Sequence, residues 1–299
     1  MPTNQFTHTS SVWVHYTDYE WRTAPDGKLY LTPGPDAAPV IYDPLQEAQT
    51  LVLDALHIGR MGMSRKTPDA DIQAAILSFA RKYGLFGLMT ALPTTPDFME
   101  YEAVYLPKNH FLKQETMPTL DYLRMFFPFE PLTVGKRGVE SIWQISNDRT
   151  MQALAMTMSD KPQAVSMCLQ RQYAERYDWL KQQFTDWAFN ATTCFLYYEE
   201  YEDLNPATRR LMQQSISAFG GNAPTYHIEL RDKPTLVWDF HSLLLGLQMM
   251  FTFMLTDGRK TLRLCKNCLK DFVASKRHVE FCCAKCRKAY EARQTNSDE

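Results

Sequence analysis

The sequence predicts a mainly α protein with small β elements, an α+β fold in which a helical body is followed by a distinct cysteine-bearing module. Three observations carry that expectation. Residues 1–44 alternate aromatic and polar side chains between turn signals, apolar residues recur at three-to-four spacing from Pro44 onward, and five of the seven cysteines fall between Cys265 and Cys286. At 299 residues the chain exceeds the roughly 100–200 residues of a single domain. With 45% hydrophobic and 22% charged residues it matches globular averages, which excludes collagen-like, largely disordered and low-complexity classes.

Taken in order, Val12, Val14 and Tyr16, then Leu29 to Leu31, then Val40 to Tyr42 read as short strands separated by Pro25-Asp26-Gly27 and Pro33-Gly34-Pro35. Pro44–His57 and Pro68–Leu92 read as core helices, the second carrying Ile72, Ile76, Phe79, Ala80 and Tyr83 on one stripe. Prolines at 93, 96, 107, 118, 128 and 131 forbid a long regular element and predict a wandering connection with one short helix. Helical patterning resumes over Arg137–Met158 and Pro162–Phe195. Asn205-Pro206 opens a further helix to about Phe219, stopped by Gly220-Gly221-Asn222. Thr225–Leu230 and Thr235–Phe240 form a predicted hairpin, and His241–Leu255 is apolar almost all round, as a buried helix should be. The domain reading is a body over 1–257, a module over 258–293 and a frayed tail over 294–299.

The longest apolar run, Leu243–Leu255, is interrupted by Gln248 and falls short of the roughly 20 residues that span a bilayer, so no membrane partner is expected. The N-terminus lacks a basic region followed by an apolar core, which makes the cytoplasm the expected compartment. Net charge is −2, but the average hides a split. Between Gly258 and Arg293 eleven Lys and Arg stand against three acids, a segment of +8, while the rest carries 21 basic and 31 acidic residues, or −10. Such asymmetry hints at nucleic acid or another acidic surface.

Cys265, Cys268, Cys282 and Cys286 read C-x2-C-x13-C-x3-C. A two-residue gap lets a tight turn aim two thiolates at one point, and zinc in a structural site takes four such ligands at about 2.3 Å. Cys282 and Cys286 lie one turn apart on one face if a helix starts near Phe281, whose N-terminus favours thiolate charge. The spacing thus describes a knuckle, a hairpin and a helix bearing the second pair: a treble-clef or zinc-ribbon-like module with one structural Zn2+. Cys283 and Cys286 form a second C-x2-C pair, so Cys283 is an alternative to Cys282. Four thiolates close the coordination shell to water, which argues for structure over catalysis.

The order of a short hairpin, a buried helix, then "RLCKNCLKDF" and "FCCAKCRKAYEAR" resembles bacterial proteins with a C-terminal zinc finger of the CGNR type. It also resembles a broader finger whose second half reads Tyr/Phe-Cys-Ser-x-x-Cys-Arg, and "AILSFARKYGLFGL" (75–88) is similar to a helix recurring in this group. The resemblance assigns Cys265, Cys268, Cys282 and Cys286 as ligands, with Phe272 and Arg287 at flanking positions. Cys283 stands where the finger has serine, and Arg287-Lys288-Ala289 where the name-giving Gly-Asn-Arg would follow. CGNR proteins are stress-responsive transcription regulators, so the resemblance implies DNA binding.

Three function classes follow. In the first, Lys276, Arg277, Lys285, Arg287 and Lys288 neutralise phosphates; with four thiolates and one Zn2+ the segment keeps about +6, enough for counterion release. In the second, zinc only staples the C-terminus of an interaction scaffold, with a protein partner or a second copy of the chain. In the third, the protein is a nuclease-like enzyme of a bacterial defence system. Against catalysis, the chain has no phosphate-cradling glycine loop, no H-E-x-x-H, no G-x-S-x-G and no dinucleotide fingerprint. His241 reads as a capping or core histidine, the acidic run Glu199, Glu200, Glu202, Asp203 as a solvated helix end, and Trp143, Trp179 and Trp187 as core.

Overall fold

The computed structural model describes residues 9–10, 12–94, 98–129, 132, 134–135, 138–139, 163–199, 204–218, 225–230, 232–256, 261–274, 276 and 278–295. These form helices and small sheets, as the α+β expectation requires. The expected helix over Arg137–Met158 does not begin as one, since Gly138 and Val139 pair as a strand; its other residues, Trp143, the acidic side chains from Glu199 to Asp203, Arg277 and the tail beyond Thr295 lie outside the described residues or side chains. The chain divides into two compact units, each assembled from three stretches: 1–46, 73–180 and 222–246, and then 47–72, 181–221 and 247–299.

In the first unit the strands are β1 (Thr9–Ser10), β2 (Trp13–Tyr16), β3 (Tyr19–Thr23), β4 (Leu29–Pro33) and β5 (Pro39–Tyr42). β2 pairs antiparallel with β5, and β3 with β4. The proline-rich stretch holds the ribbon β6 (Ala103–Tyr105) and β7 (Thr116–Pro118), then the expected short helix, here α4 (Thr119–Arg124). β8 (Val134–Gly135) pairs with β9 (Gly138–Val139), and β10 (Glu175–Arg176) adds antiparallel to β4. The expected hairpin is present as β11 (Thr225–Leu230) and β12 (Pro234–Asp239), with β1 parallel to β12 on the other side. Trp13, Tyr16, Tyr83, Phe86, Tyr122, Phe126 and Tyr173 fill this unit's core.

Two predicted helices are broken, one by backbone angle and one at a side chain with long-range partners. The stripe over Pro68–Leu92 ends as α2 (Asp69–Tyr83), and a separate short α3 (Leu88–Ala91) follows. Between them Gly84 and Gly87 take φ of +87° and +73°, a conformation that costs a side chain strain and that a periodic apolar pattern does not reveal. A Cβ on Gly84 would overlap the Val14 carbonyl oxygen, so the turn is also the close approach to β2. Pro162–Phe195 likewise divides into α5 (Gln163–Cys168), β10 and α6 (Tyr177–Glu199). At that break sits Glu175, fully buried, whose carboxylate accepts the Phe86 N–H (2.9 Å), the Leu88 N–H (2.7 Å) and the Tyr173 hydroxyl (2.7 Å). Glu175 therefore satisfies backbone donors of the glycine turn that no helix could take up.

The second unit contains α1 (Ala48–Met63), most of α6, α7 (Pro206–Ala218), most of α8 (Leu243–Thr256), and the cysteine segment. Asn205 Oδ1 accepts the Thr208 N–H (2.9 Å), the cap that opens α7. α8 starts at Leu243 rather than His241, because Ser242 caps it through its hydroxyl, which accepts the Leu245 N–H (3.1 Å). α1 and α6 meet at two glycines: a Cβ on Gly59 would overlap Ala188 and the Phe184 carbonyl, and one on Gly62 would overlap Thr185 Oγ1. Trp187 packs edge-on against Phe251 of α8 (5.9 Å between ring centres), so this tryptophan belongs to the core. Among the described residues no helix is long and apolar enough to cross a membrane.

Candidate metal centre

β13 (Thr261–Leu264) and β14 (Asp271–Ala274) form a four-pair antiparallel hairpin whose connection is the first cysteine knuckle. The Leu269 N–H donates to the Cys265 carbonyl (2.9 Å) and the Cys265 N–H to the Lys270 carbonyl (3.0 Å), which folds the loop tightly. Leu269 completes the turn at φ +56°. The knuckle is tied to the approach of the second pair twice, by the Lys266 N–H to the Glu280 carbonyl (3.1 Å) and by Lys266 Nζ to Glu280 Oε1 (2.6 Å). α9 (Ala284–Thr295) then begins immediately after Cys283.

These elements bring the sulfurs of Cys265, Cys268, Cys282 and Cys286 within 4.8 Å of one another, close enough to hold one metal ion. Cys268 Sγ lies 3.7 Å from Cys282 Sγ, and Cys282 Sγ lies 3.5 Å from Cys286 Sγ. Sulfurs at about 2.3 Å from a tetrahedral ion stand about 3.8 Å apart, so the observed edges fit such an ion. Cys283 Sγ lies 3.9 Å from Cys282 Sγ, is exposed, and stands outside the four. Cys265 is fully buried; the other three ligating positions are partly or largely exposed.

Without a cation these thiols compete for charge. Burial raises the Cys265 thiol, but the backbone N–H groups of Cys282, Cys268 and Asn267 outweigh it and bring it down to about 6. Cys282 moves the other way, raised by burial and then by the surrounding sulfurs. One thiolate is thus favoured at the expense of its neighbours, and a dication is what lets several coexist.

The basic side chains divide cleanly from the sulfurs. Lys276, Lys285, Arg287 and Lys288 are exposed. At 100° per residue, Arg287, Lys288 and Lys285 span an arc of about 160° on α9, centred opposite Cys286. Tyr290, on the Cys286 side of the helix, packs its ring against Phe281 (5.3 Å). Arg287 approaches Glu291 one turn on, at 3.8 Å.

A contact with no signature in the sequence fixes the hairpin to the body of its unit. Asp271 opens β14 and its side chain is 4% exposed; Arg60 of α1 meets it with Nε–Oδ2 at 2.7 Å and Nη2–Oδ1 at 2.8 Å. Burial pushes the Asp271 carboxyl above its ordinary range although Arg60 pulls it down. The contact runs through the hairpin, so the basic arc of α9 is left exposed rather than turned inward. Comparisons with known protein families, with curated proteins and with solved structures find no match to this chain.

Proposed function

We propose that the protein binds one structural zinc ion through Cys265, Cys268, Cys282 and Cys286, and binds nucleic acid, DNA first, through the basic face of α9 together with Lys276. The observation that carries this reading is the opposition on α9: Cys286 on one side, Lys285, Arg287 and Lys288 across the other, all three exposed. Four sulfur donors select zinc over hard cations, and a hairpin-borne knuckle followed by a helix that carries Cys286, with Cys282 just before its start and not on it as the spacing predicts, supports a treble-clef-like module. A four-cysteine zinc centre suits a reducing compartment such as the cytoplasm. The resemblance to CGNR-type fingers extends the reading to transcription regulation.

In this reading zinc orders the hairpin and the start of α9, and the chain's own lysines and arginines meet phosphates. Such contacts position a duplex without reading its sequence. Fluorescence anisotropy with duplex DNA and with single-stranded RNA, at low and at moderate salt, tests it. Wild type should bind more weakly as salt rises, and Lys285, Arg287 and Lys288 all changed to Ala should reduce the salt slope by about three. Salt-sensitive binding that survives the triple substitution, or no binding at all, contradicts the reading. The Arg60–Asp271 pair favours a second reading, a structural staple in a protein-interaction scaffold. That reading predicts zinc in the protein with no nucleic-acid signal before or after the substitution.

A further inference from the structure

Five of the chain's seven cysteines crowd the metal centre, and one of the five is left over. Cys168 and Cys194 are buried, Cys265, Cys268, Cys282 and Cys286 are the converging four, and Cys283 stands exposed beside them. Its place in the chain is specific. α9 begins at Ala284, and the Cys283 carbonyl accepts the Arg287 N–H (3.2 Å), so Cys283 caps the helix and Cys286 is the third residue within it. The Cys283 sulfur takes the part of a capping oxygen: it accepts the backbone N–H groups of Cys286 and Lys285 and interacts with the Cys286 thiol. Cys282 Sγ stands 3.9 Å from Cys283 Sγ and 3.5 Å from Cys286 Sγ, so the leftover thiol touches the edge of the centre.

We propose that a hydroperoxide drives Cys283 and Cys286 into a reversible disulfide, which withdraws Cys286 from the zinc ion and opens the centre; this rests on the four-sulfur zinc reading and adds its regulation. Backbone spacing selects the pair. Three residues apart across the first turn of a helix, two Cα atoms stand about 5 Å from each other, within the roughly 4.4–6.8 Å that disulfides take. Adjacent residues such as Cys282 and Cys283 stand only about 3.8 Å apart across a trans peptide, too close for a relaxed bridge. Exposure selects the first target: the four ligating sulfurs share their lone pairs with the metal, whereas Cys283 is exposed and outside the four. Its sulfur attacks one oxygen of the hydroperoxide, the O–O bond breaks, the thiol proton leaves with the departing alkoxide or hydroxide, and Cys283 becomes a sulfenic acid. The Cys286 thiolate then attacks that sulfur, the S–O bond breaks, hydroxide departs and the S–S bond forms. Two electrons have passed from the two sulfurs to the O–O bond. Three sulfurs remain for zinc, and the coordination shell is no longer closed. A dithiol reverses the bridge by exchange and returns Cys286 to the metal.

Treating the zinc-loaded full chain with a small excess of hydrogen peroxide tests this. Released zinc is read with a chromophoric chelator, and bridges are assigned by tandem mass spectrometry after free thiols are alkylated. Wild type should lose its zinc and carry a 283–286 bridge, and Cys283→Ser should release zinc at least about tenfold more slowly. Without peroxide the two proteins should yield zinc to the chelator at the same rate, which separates a redox role from a structural one. Dithiothreitol and added zinc should restore the wild-type centre. Protein that holds no zinc before oxidation overturns the four-sulfur reading and this inference with it. Zinc that leaves Cys283→Ser as fast as wild type under peroxide, or a bridge between other cysteines that spares Cys283, overturns this inference alone.

Discussion

Arg60 and Asp271 stand 211 residues apart and meet through both oxygens of a carboxylate that is almost wholly buried. The pair joins the helix that opens the second unit to the strand that follows the first cysteine knuckle. Removing the cation alone leaves a buried acid without its partner, which costs more than the pair itself contributes. Arg60→Met should therefore destabilise the unit by about 2–3 kcal/mol. Adding Asp271→Leu should recover most of the loss, read from urea unfolding followed by tryptophan fluorescence. A single and a double variant of equal stability would mean that the pair does not hold the hairpin.

The choice among the clustered cysteines has a direct consequence. Cys268→Ser and Cys282→Ser should each abolish stoichiometric metal, whereas Cys283→Ser should retain it, because Cys283 stands outside the group of four. Metal analysis of the three purified variants checks this. Hydrogen exchange over 261–295 should quicken in the first two and not in the third.

Gly59 is where α1 comes closest to α6. A methyl group there has nowhere to go between Ala188 and the Phe184 carbonyl. Gly59→Ala should cost about 1–3 kcal/mol despite the better helix propensity of alanine, measured by the same unfolding curves. A stabilised variant would show that the helices sit further apart.

Glu175 makes the first unit's stability depend on pH in a definite direction. Burial raises its carboxyl above the ordinary range, against the hydrogen bonds from Tyr173, Leu88 and Phe86 that pull it down. A raised folded value means that the contribution is fully present below the ordinary glutamate value of about 4.3 and is lost as pH rises through the folded one. Glu175→Gln should be less stable by about 1–3 kcal/mol at acid pH, since its amide nitrogen must face a backbone N–H. That gap should narrow as pH rises, which unfolding of both proteins from pH 4 to pH 8 would reveal. A gap that widens with pH reverses the sign.

The features legible in the sequence are local ones. The four sulfurs that converge lie within a short segment, and their spacings alone place them in pairs; the 225–239 hairpin declares itself by alternation around a turn; Asn205-Pro206 marks a helix start. What escaped the sequence is long-range or depends on backbone angle. The stripe from Ile72 to Tyr83 continues in register to Phe86, and apolar residues follow to Leu92, so the pattern carries a helix straight across two glycines that the fold uses at positive φ. Glu175 interrupts another helical run because it answers donors about 90 residues upstream, and nothing near it in the chain announces that. Asp271 looks like one more surface acid beside a knuckle until α1 brings Arg60 to it.

The central claim is a four-sulfur zinc centre, and X-ray absorption at the zinc edge, with elemental analysis of the same purified protein, tests it most directly. The account predicts one zinc per chain with four sulfur neighbours at about 2.3 Å. A protein without stoichiometric metal, or zinc bound chiefly by nitrogen and oxygen, would contradict it.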